Sequence, residues 1–420
     1  MREGTFSILA LARPRAIWLT ELSRWATSGA VEIDLIRCIS IDEVRARLGS
    51  LQRFSAVLLD ENCIGVDRDL LGSATDLGCA SIVITTGIAR RDWLALGADA
   101  TLDAALDREG LLSTLRSIAA PITPPMDAGA VVELHSETPR STAPLLAVTG
   151  SGGTGTTVIA LALAQSLPDC ALIDAALDAS LALAVGDVEI IPGLQELVDA
   201  HRTGAPTADE LRQGLHRCPR HGFSLLPGLR RHRDWTALRP HAIDAMLSSL
   251  RRAYPTVVAD IDADVEGEPD TGSFDIADRN ALARRITSAA DVVVITGRPD
   301  LLGLSRMVST IGNLLAFGIA PDRVIPLVMR SSRCTFTTNE IRRSITKLLT
   351  ETHPDVAIMS PAVIEPPKDL DLLLLDRSPL PRRFTDQVLD AVPGHLRSRP
   401  IESTVDEPVA IIPGSLGIAS

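Results

Sequence analysis

The chain has 420 residues, 45% of them hydrophobic and 22% charged, and a formal net charge of −12. That length exceeds one ordinary core, so two globular domains with tails are expected, and the composition is that of a soluble globular protein. The acidic balance argues against nonspecific DNA binding as the main activity, and no run of about 18 apolar residues is available to span a membrane.

The six cysteines, Cys38, Cys63, Cys79, Cys170, Cys218 and Cys334, lie scattered with no C-x-x-C pair. They read as reduced thiols of a cytoplasmic protein, without a disulfide framework or zinc site. The start MREGTFSILALARPRAIW has a short apolar run broken by Arg13, Pro14 and Arg15, which reads as a first strand and not a signal peptide.

Residues 1–120 alternate strand and helix patterns. Strands are expected at SILALA, VEIDLIRC, SAVLLD, SIVITT and ADATLD, with helices over 17–27, 41–51, 68–77, 91–96 and 108–118. Strict alternation predicts a doubly wound parallel sheet of the flavodoxin-like, receiver-like kind. Asp60 ends the third strand, where a receiver carries its phosphoacceptor. Leu11, Ala12 and Arg13 follow the first strand without an acid, and the domain has no lysine. Without the acid pair a metal has too few oxygen ligands, so Asp60 is read as a pseudo-phosphoacceptor in a docking or dimerising domain.

Residues 121–144, rich in Pro, Ser and Thr, read as a linker. A second domain then spans 145–392. Its strands are expected at 145–148, 170–174, 223–228, 256–262, 290–300, 323–330 and 356–362. Its helices are expected at 158–167, 209–216, 241–253, 302–315, 338–349 and 384–392. The carboxylates between Asp262 and Asp278 read as a solvated loop. Residues 393–420, dominated by Pro, Ser and Gly, are expected to be disordered.

The second domain opens on LLAVTGSGGTGTTVIALALAQSL. An apolar strand runs into Gly150, Ser151, Gly152, Gly153, Thr154, Gly155, Thr156 and Thr157, and then into a helix. Glycines let backbone N–H groups turn inward on an anion, and the helix N-terminus adds partial positive charge at the same point. The pattern G-x-x-x-x-G-K-[ST] demands lysine where this chain has Thr156. The only lysines, Lys347 and Lys368, lie far downstream. The lysine offsets charge that builds up in phosphoryl transfer, so hydrolysis is expected to be weak or absent. Downstream strand ends carry Asp174 and Asp260, the latter placed, with Thr157, to hold Mg²⁺.

From Leu145 to about Val392 the chain resembles the deviant-Walker MinD/ParA branch of P-loop ATPases. The nearest pattern is the CpaE-like group, which includes septum-site-determining proteins and pairs an eroded receiver with the ATPase domain. The family's K-G-G-x-G-K-T-T corresponds to Ser151 to Val158, its strand-end acid to Asp174, its Walker B acid to Asp260, and V-V-V-I-T-x-P-D to Val292–Asp300. Both family lysines are replaced, by Ser151 and Thr156. The second Asp of D-x-D is Ala176, and the adenine-reading Asn is Met329.

The resemblance implies ATP and Mg²⁺ as ligands, held weakly, with Asp174 as a candidate catalytic acid. It also implies a homodimer that works with protein partners of the division, pilus or secretion machinery. The tail lacks the basic face of a membrane-binding helix. Two other readings stand beside it. One is an active ATPase in which Arg298, Arg330 or Arg333 replaces the lysine. The other is a response-regulator-like protein phosphorylated at Asp60.

Overall fold

The computed structural model describes residues 6–50, 52–87, 89, 91–121, 143–186, 191–331, 334–354 and 356–396. The expected linker lies almost wholly outside these residues, as do Arg333 and all of the expected tail beyond residue 396.

The first sheet has five strands: β1 (Phe6–Leu11), β2 (Ile33–Cys38), β3 (Ala56–Asp60), β4 (Ala80–Thr85) and β5 (Ala100–Asp103). Their order is β2-β1-β3-β4-β5 and every pairing is parallel, the flavodoxin-like doubly wound arrangement. Every residue of β1, β3 and β4 is buried, as strands covered on both faces require. Helices Ile41–Leu48, Arg68–Asp76 and Arg108–Ile118 start where Ser40, Asp67 and Asp107 accept a backbone N–H. The helix expected at residues 91–96 does not form; the segment is a turn. Buried Trp93 and Leu96 anchor it, and Gly97 at positive φ follows it.

The second sheet has eight strands: β6 (Leu145–Gly150), β7 (Cys170–Ala175), β8 (His216–Cys218), β9 (Phe223–Leu226), β10 (Val257–Ile261), β11 (Val292–Gly297), β12 (Val324–Met329) and β13 (Ala362–Ile364). The order is β13-β12-β11-β6-β10-β7-β9-β8, parallel except for β8 against β9. Side chains alternate between its two cores. Leu146 and Val148 join Ile159, Leu163, Phe384 and Val388 on one face, while Leu145 and Ala147 join Val198, Leu250, Ile286 and Ile311 on the other. The two sheets make this an α/β protein of two doubly wound units.

Several local expectations are corrected. The last strand is Ala362–Ile364 and not residues 356–362, because its three residues pair with Leu327, Val328 and Met329. The helix before β8 is Ala208–Gly214, and His216 has turned into the antiparallel edge strand. The acidic segment is not an open loop. It folds as short helices Glu268–Thr271 and Phe274–Arg279, tied down by Arg279 on Asp264 (2.6 Å) and by Asn280 Nδ2 donating to Glu266 O. Helices Leu181–Val185, Leu194–Thr203, Ala281–Ala289 and Leu370–Leu375 were not foreseen.

The two sheets meet through helix Arg68–Asp76, which packs on helices Leu194–Thr203 and Pro240–Ala253. Arg68 donates to His201 O (2.8 Å) and Gly204 O (3.3 Å), covering carbonyls at a helix C-terminus. Arg202 pairs with Asp67 at 2.9 Å, and Asp69 accepts the His241 N–H at 2.9 Å. Gly72 lets the helices approach, since a Cβ there would lie 2.6 Å from the His241 ring.

Candidate functional site: a glycine-rich loop and two buried carboxylates

β6 is central in its sheet, flanked by β10 and β11, so the loop leaving its C-terminal end sits where parallel α/β sheets bind ligands. The loop needs its glycines. Gly153 and Gly155 stand at φ +76° and +88°, and Gly155 immediately precedes helix Thr156–Ser166. A Cβ on Gly150 would overlap the Thr296 hydroxyl and lie 2.7 Å from the Thr296 carbonyl oxygen; one on Gly155 would overlap the terminal methyl of Met329. The first turn of the helix leaves backbone N–H groups without intrahelical partners at this point.

The loop is held by hydroxyls. Thr154, 2% exposed, donates to Ser151 O at 2.7 Å, and its Oγ1 lies 2.7 Å from Thr296 Oγ1. Thr156 Oγ1 lies 2.9 Å from the same Thr296 atom. The position where the motif calls for an ammonium group is therefore a hydroxyl turned toward β11. Thr296 escaped the sequence reading because a threonine ending an apolar run looks like an ordinary strand residue. Its adjacency to the loop follows only from β11 pairing with β6, Thr296 against Gly150.

Beside the loop stand the acids. Asp174 and Asp260 are register partners on adjacent β7 and β10, both buried. Asp260 accepts the Thr157 hydroxyl at 2.7 Å. Burial pushes its carboxyl up to about 6, with Asp262 adding to the rise against the Thr157 bond. Burial likewise pushes Asp174 up to about 7, with Asp260 and Asp262 raising it further, although Leu181 N–H and Ser180 N–H stabilise its charge. Asp174 Oδ2 accepts from Leu181 N at 2.8 Å, while Oδ1 is buried without a hydrogen-bond partner. Asp262, missed as a member of this cluster, accepts the Leu177 N–H at 2.7 Å.

These oxygens suit a hard cation. Thr157 spends its proton on Asp260, so its oxygen keeps its lone pairs, and Asp174 Oδ1 is a spare acceptor nearby. Mg²⁺ needs only one or two carboxylates and retains water. Among the described residues no group of three or more His, Cys, Asp or Glu side chains could hold a metal alone.

A cleft of about 450 Å³ adjoins the loop, lined by Gly153, Thr154, Arg298, Pro299, Met329 and Phe336 among others. Arg298 thus borders the loop, but it pairs with Asp300 at 3.2 Å and is largely exposed. Arg330 is tied to Glu365 and donates to Phe336 O at 3.4 Å. Arg333 lies outside the described residues.

The first sheet presents Asp60 at the corresponding end of β3, 2% exposed. Arg13 Nε lies 3.5 Å from Oδ2, and Oδ1 accepts from Asn62 N and Nδ2. Burial works against the charge, but the Asn62 bonds and Arg13 outweigh it and hold this carboxyl below its usual range. The buried acid is thus partnered by a guanidinium.

No protein-family model matches the chain, and no curated protein matches it in sequence. Solved structures do. A ParA family ATPase from Chlorobium tepidum TLS aligns at 15% identity over 60% of this chain and 95% of its own, with a TM-score of 0.45. The cell division ATPase MinD of Pyrococcus furiosus aligns at 14% identity over 59% and 97%, TM-score 0.44. The septum site-determining protein MinD of Pyrococcus horikoshii OT3, complexed with Mg-ADP, aligns at 16% identity over 60% and 96%, TM-score 0.43. ATPases of the MinD/ParA kind are thus among the solved structures this chain is similar to, over about 60% of its length.

Proposed function

We propose that the protein is a MinD/ParA-type spatial regulator that works by binding and not by turnover. On this reading it helps place the division septum, or pilus or secretion machinery, through protein partners in the cytoplasm, as a homodimer. On this reading the chain has two domains, residues 1–120 and 145–392, and the receiver-like first domain docks and does not accept phosphate. The observation that carries the reading is Thr156, whose hydroxyl lies 2.9 Å from Thr296 at the position where phosphoryl transfer calls for lysine.

A magnesium nucleotide would be held by backbone N–H groups between Gly150 and Thr157, with the metal on Thr157 and Asp260. The metal would supply the positive charge that the side chains of the loop do not. Asp174 lies beside this pair as a further acceptor, and as the candidate catalytic acid it has no second aspartate, Ala176 standing in that place. Held this way, the transferring phosphoryl group would be met by the metal and backbone N–H groups but by no lysine, so hydrolysis should be negligible.

Steady-state phosphate release from saturating Mg·ATP tests the proposal. A rate below about one turnover per minute, slow beside ordinary enzymes, is expected, and sustained faster release contradicts it.

A further inference from the structure

The threonine cluster contains a proton count with one solution. Three contacts in it are shorter than 3.0 Å: Thr154 Oγ1 to Ser151 O (2.7 Å), Thr154 Oγ1 to Thr296 Oγ1 (2.7 Å) and Thr156 Oγ1 to Thr296 Oγ1 (2.9 Å). Three hydroxyl protons are available, one per threonine. A carbonyl oxygen cannot donate, so the first contact takes the Thr154 proton. The second then takes that of Thr296, and the third that of Thr156. The longer approaches, Thr296 to Thr149 O at 3.2 Å and Thr154 to Thr156 at 3.4 Å, are left without a dedicated proton. Any other assignment leaves two oxygens 2.9 Å or less apart with nothing between them. The bonds therefore run one way, from Thr156 to Thr296 to Thr154 to Ser151 O.

The direction decides what the loop can offer an anion. Thr157 is already committed to Asp260. With Thr156 committed to Thr296, neither hydroxyl at the start of the helix has a proton left for a phosphate oxygen. Thr156 would instead meet it with lone pairs, which repel. The backbone N–H groups are the donors that remain.

We propose that Thr296 is a positioning residue that withholds the Thr156 hydroxyl from the loop and so sets a low affinity for phosphate-bearing ligands. This rests on the reading of Gly150 to Thr157 as a phosphate cradle. It makes a directional claim that mere loosening of the loop does not. Removing the Thr296 hydroxyl frees the Thr156 proton for the ligand. Removing the Thr154 hydroxyl leaves Thr156 bonded to Thr296, because Thr296 then turns its own proton to Thr149 O.

The test is calorimetric titration of the full chain with Mg·ATP. Thr296→Val should bind about tenfold tighter than wild type, the usual size of one added hydrogen bond to a charged group. Thr296→Ala, which removes the same hydroxyl with less bulk, should show the same gain and serves if the valine variant does not fold. Thr296→Ser, which keeps the hydroxyl, should show no gain, and Thr154→Val should show none either. Equal tightening by Thr154→Val and Thr296→Val, or no tightening by Thr296→Val and Thr296→Ala, overturns the proposal. Thr156→Lys separates this failure from that of the cradle itself. If the lysine variant binds Mg·ATP while the Thr296 variants gain nothing, only the proton chain is wrong. If no variant binds, the phosphate-cradle reading falls with it.

Discussion

The C-terminal edges of the two sheets solve the same electrostatic problem in opposite ways. Each buries aspartate at the end of a parallel strand, Asp60 on β3 and Asp174 with Asp260 on β7 and β10. At the first edge the protein supplies its own cation, Arg13, together with two donors from Asn62, and the carboxyl is held below its usual range. At the second edge burial, with neighbouring carboxylates adding to it, pushes the two acids up to about 7 and about 6. The first edge pairs its acid with a cation of the chain, whereas the second leaves Asp174 Oδ1 buried without a hydrogen-bond partner. An acid at a strand end does not by itself mark a functional site; its charge partners do.

The contrast can be broken at the backbone first. Gly150→Ala forces a methyl into the Thr296 hydroxyl and carbonyl, which cannot move without shifting β11. The expected cost is about 3 kcal/mol by analogy with overpacked cores, read as a lower midpoint in urea unfolding. A variant as stable as wild type would mean that the loop does not close on Thr296.

Asp174→Asn sharpens the contrast through pH. The folded carboxyl keeps its proton up to about pH 7, while an unfolded one loses it near 4. The fold therefore loses stability as pH rises across that window, and the loss is complete above the folded value. In EDTA the asparagine variant should be more stable than wild type by about 2 kcal/mol at pH 8, with little difference at pH 4. Thermal unfolding across pH measures this, and parallel curves for the two proteins would contradict it.

Arg13→Ala should have the smallest effect and the opposite pH trend. Asp60 is depressed, so its pairing contributes above the unfolded value near 4 and is lost as pH falls through the folded one. Arg13 is half exposed, which limits the loss to about 0.5–1 kcal/mol at pH 7. A stabilising effect would mean that Arg13 and Asp60 do not offset one another.

Much of this was legible in the sequence. Apolar runs such as SILALA and ADVVVITG are buried on both faces, and they located eleven strands to within a few residues, while the strand expected at 356–362 is Ala362–Ile364. Glycine spacing located the loop, because positive φ at Gly153 and Gly155 leaves few other residues a choice. Relations between strands were not legible. Arg13 was noted only as the place where an acid is missing, and its pairing with Asp60 depends on β1 lying beside β3. Thr296 and Asp262 likewise become site residues only through strand adjacency. Short elements such as β8 and helix Glu268–Thr271 were lost for another reason. They are too brief to show a period, and their surroundings decide their conformation.

The central question is whether metal takes the place of an ammonium group at the loop. Calorimetric titration of the wild-type chain with ATP, once with Mg²⁺ and once with EDTA, asks this directly. Measurable binding with Mg²⁺ and none with EDTA is the expected result. Binding of equal strength in both conditions would show that side chains of the chain itself neutralise the triphosphate, and would contradict the account.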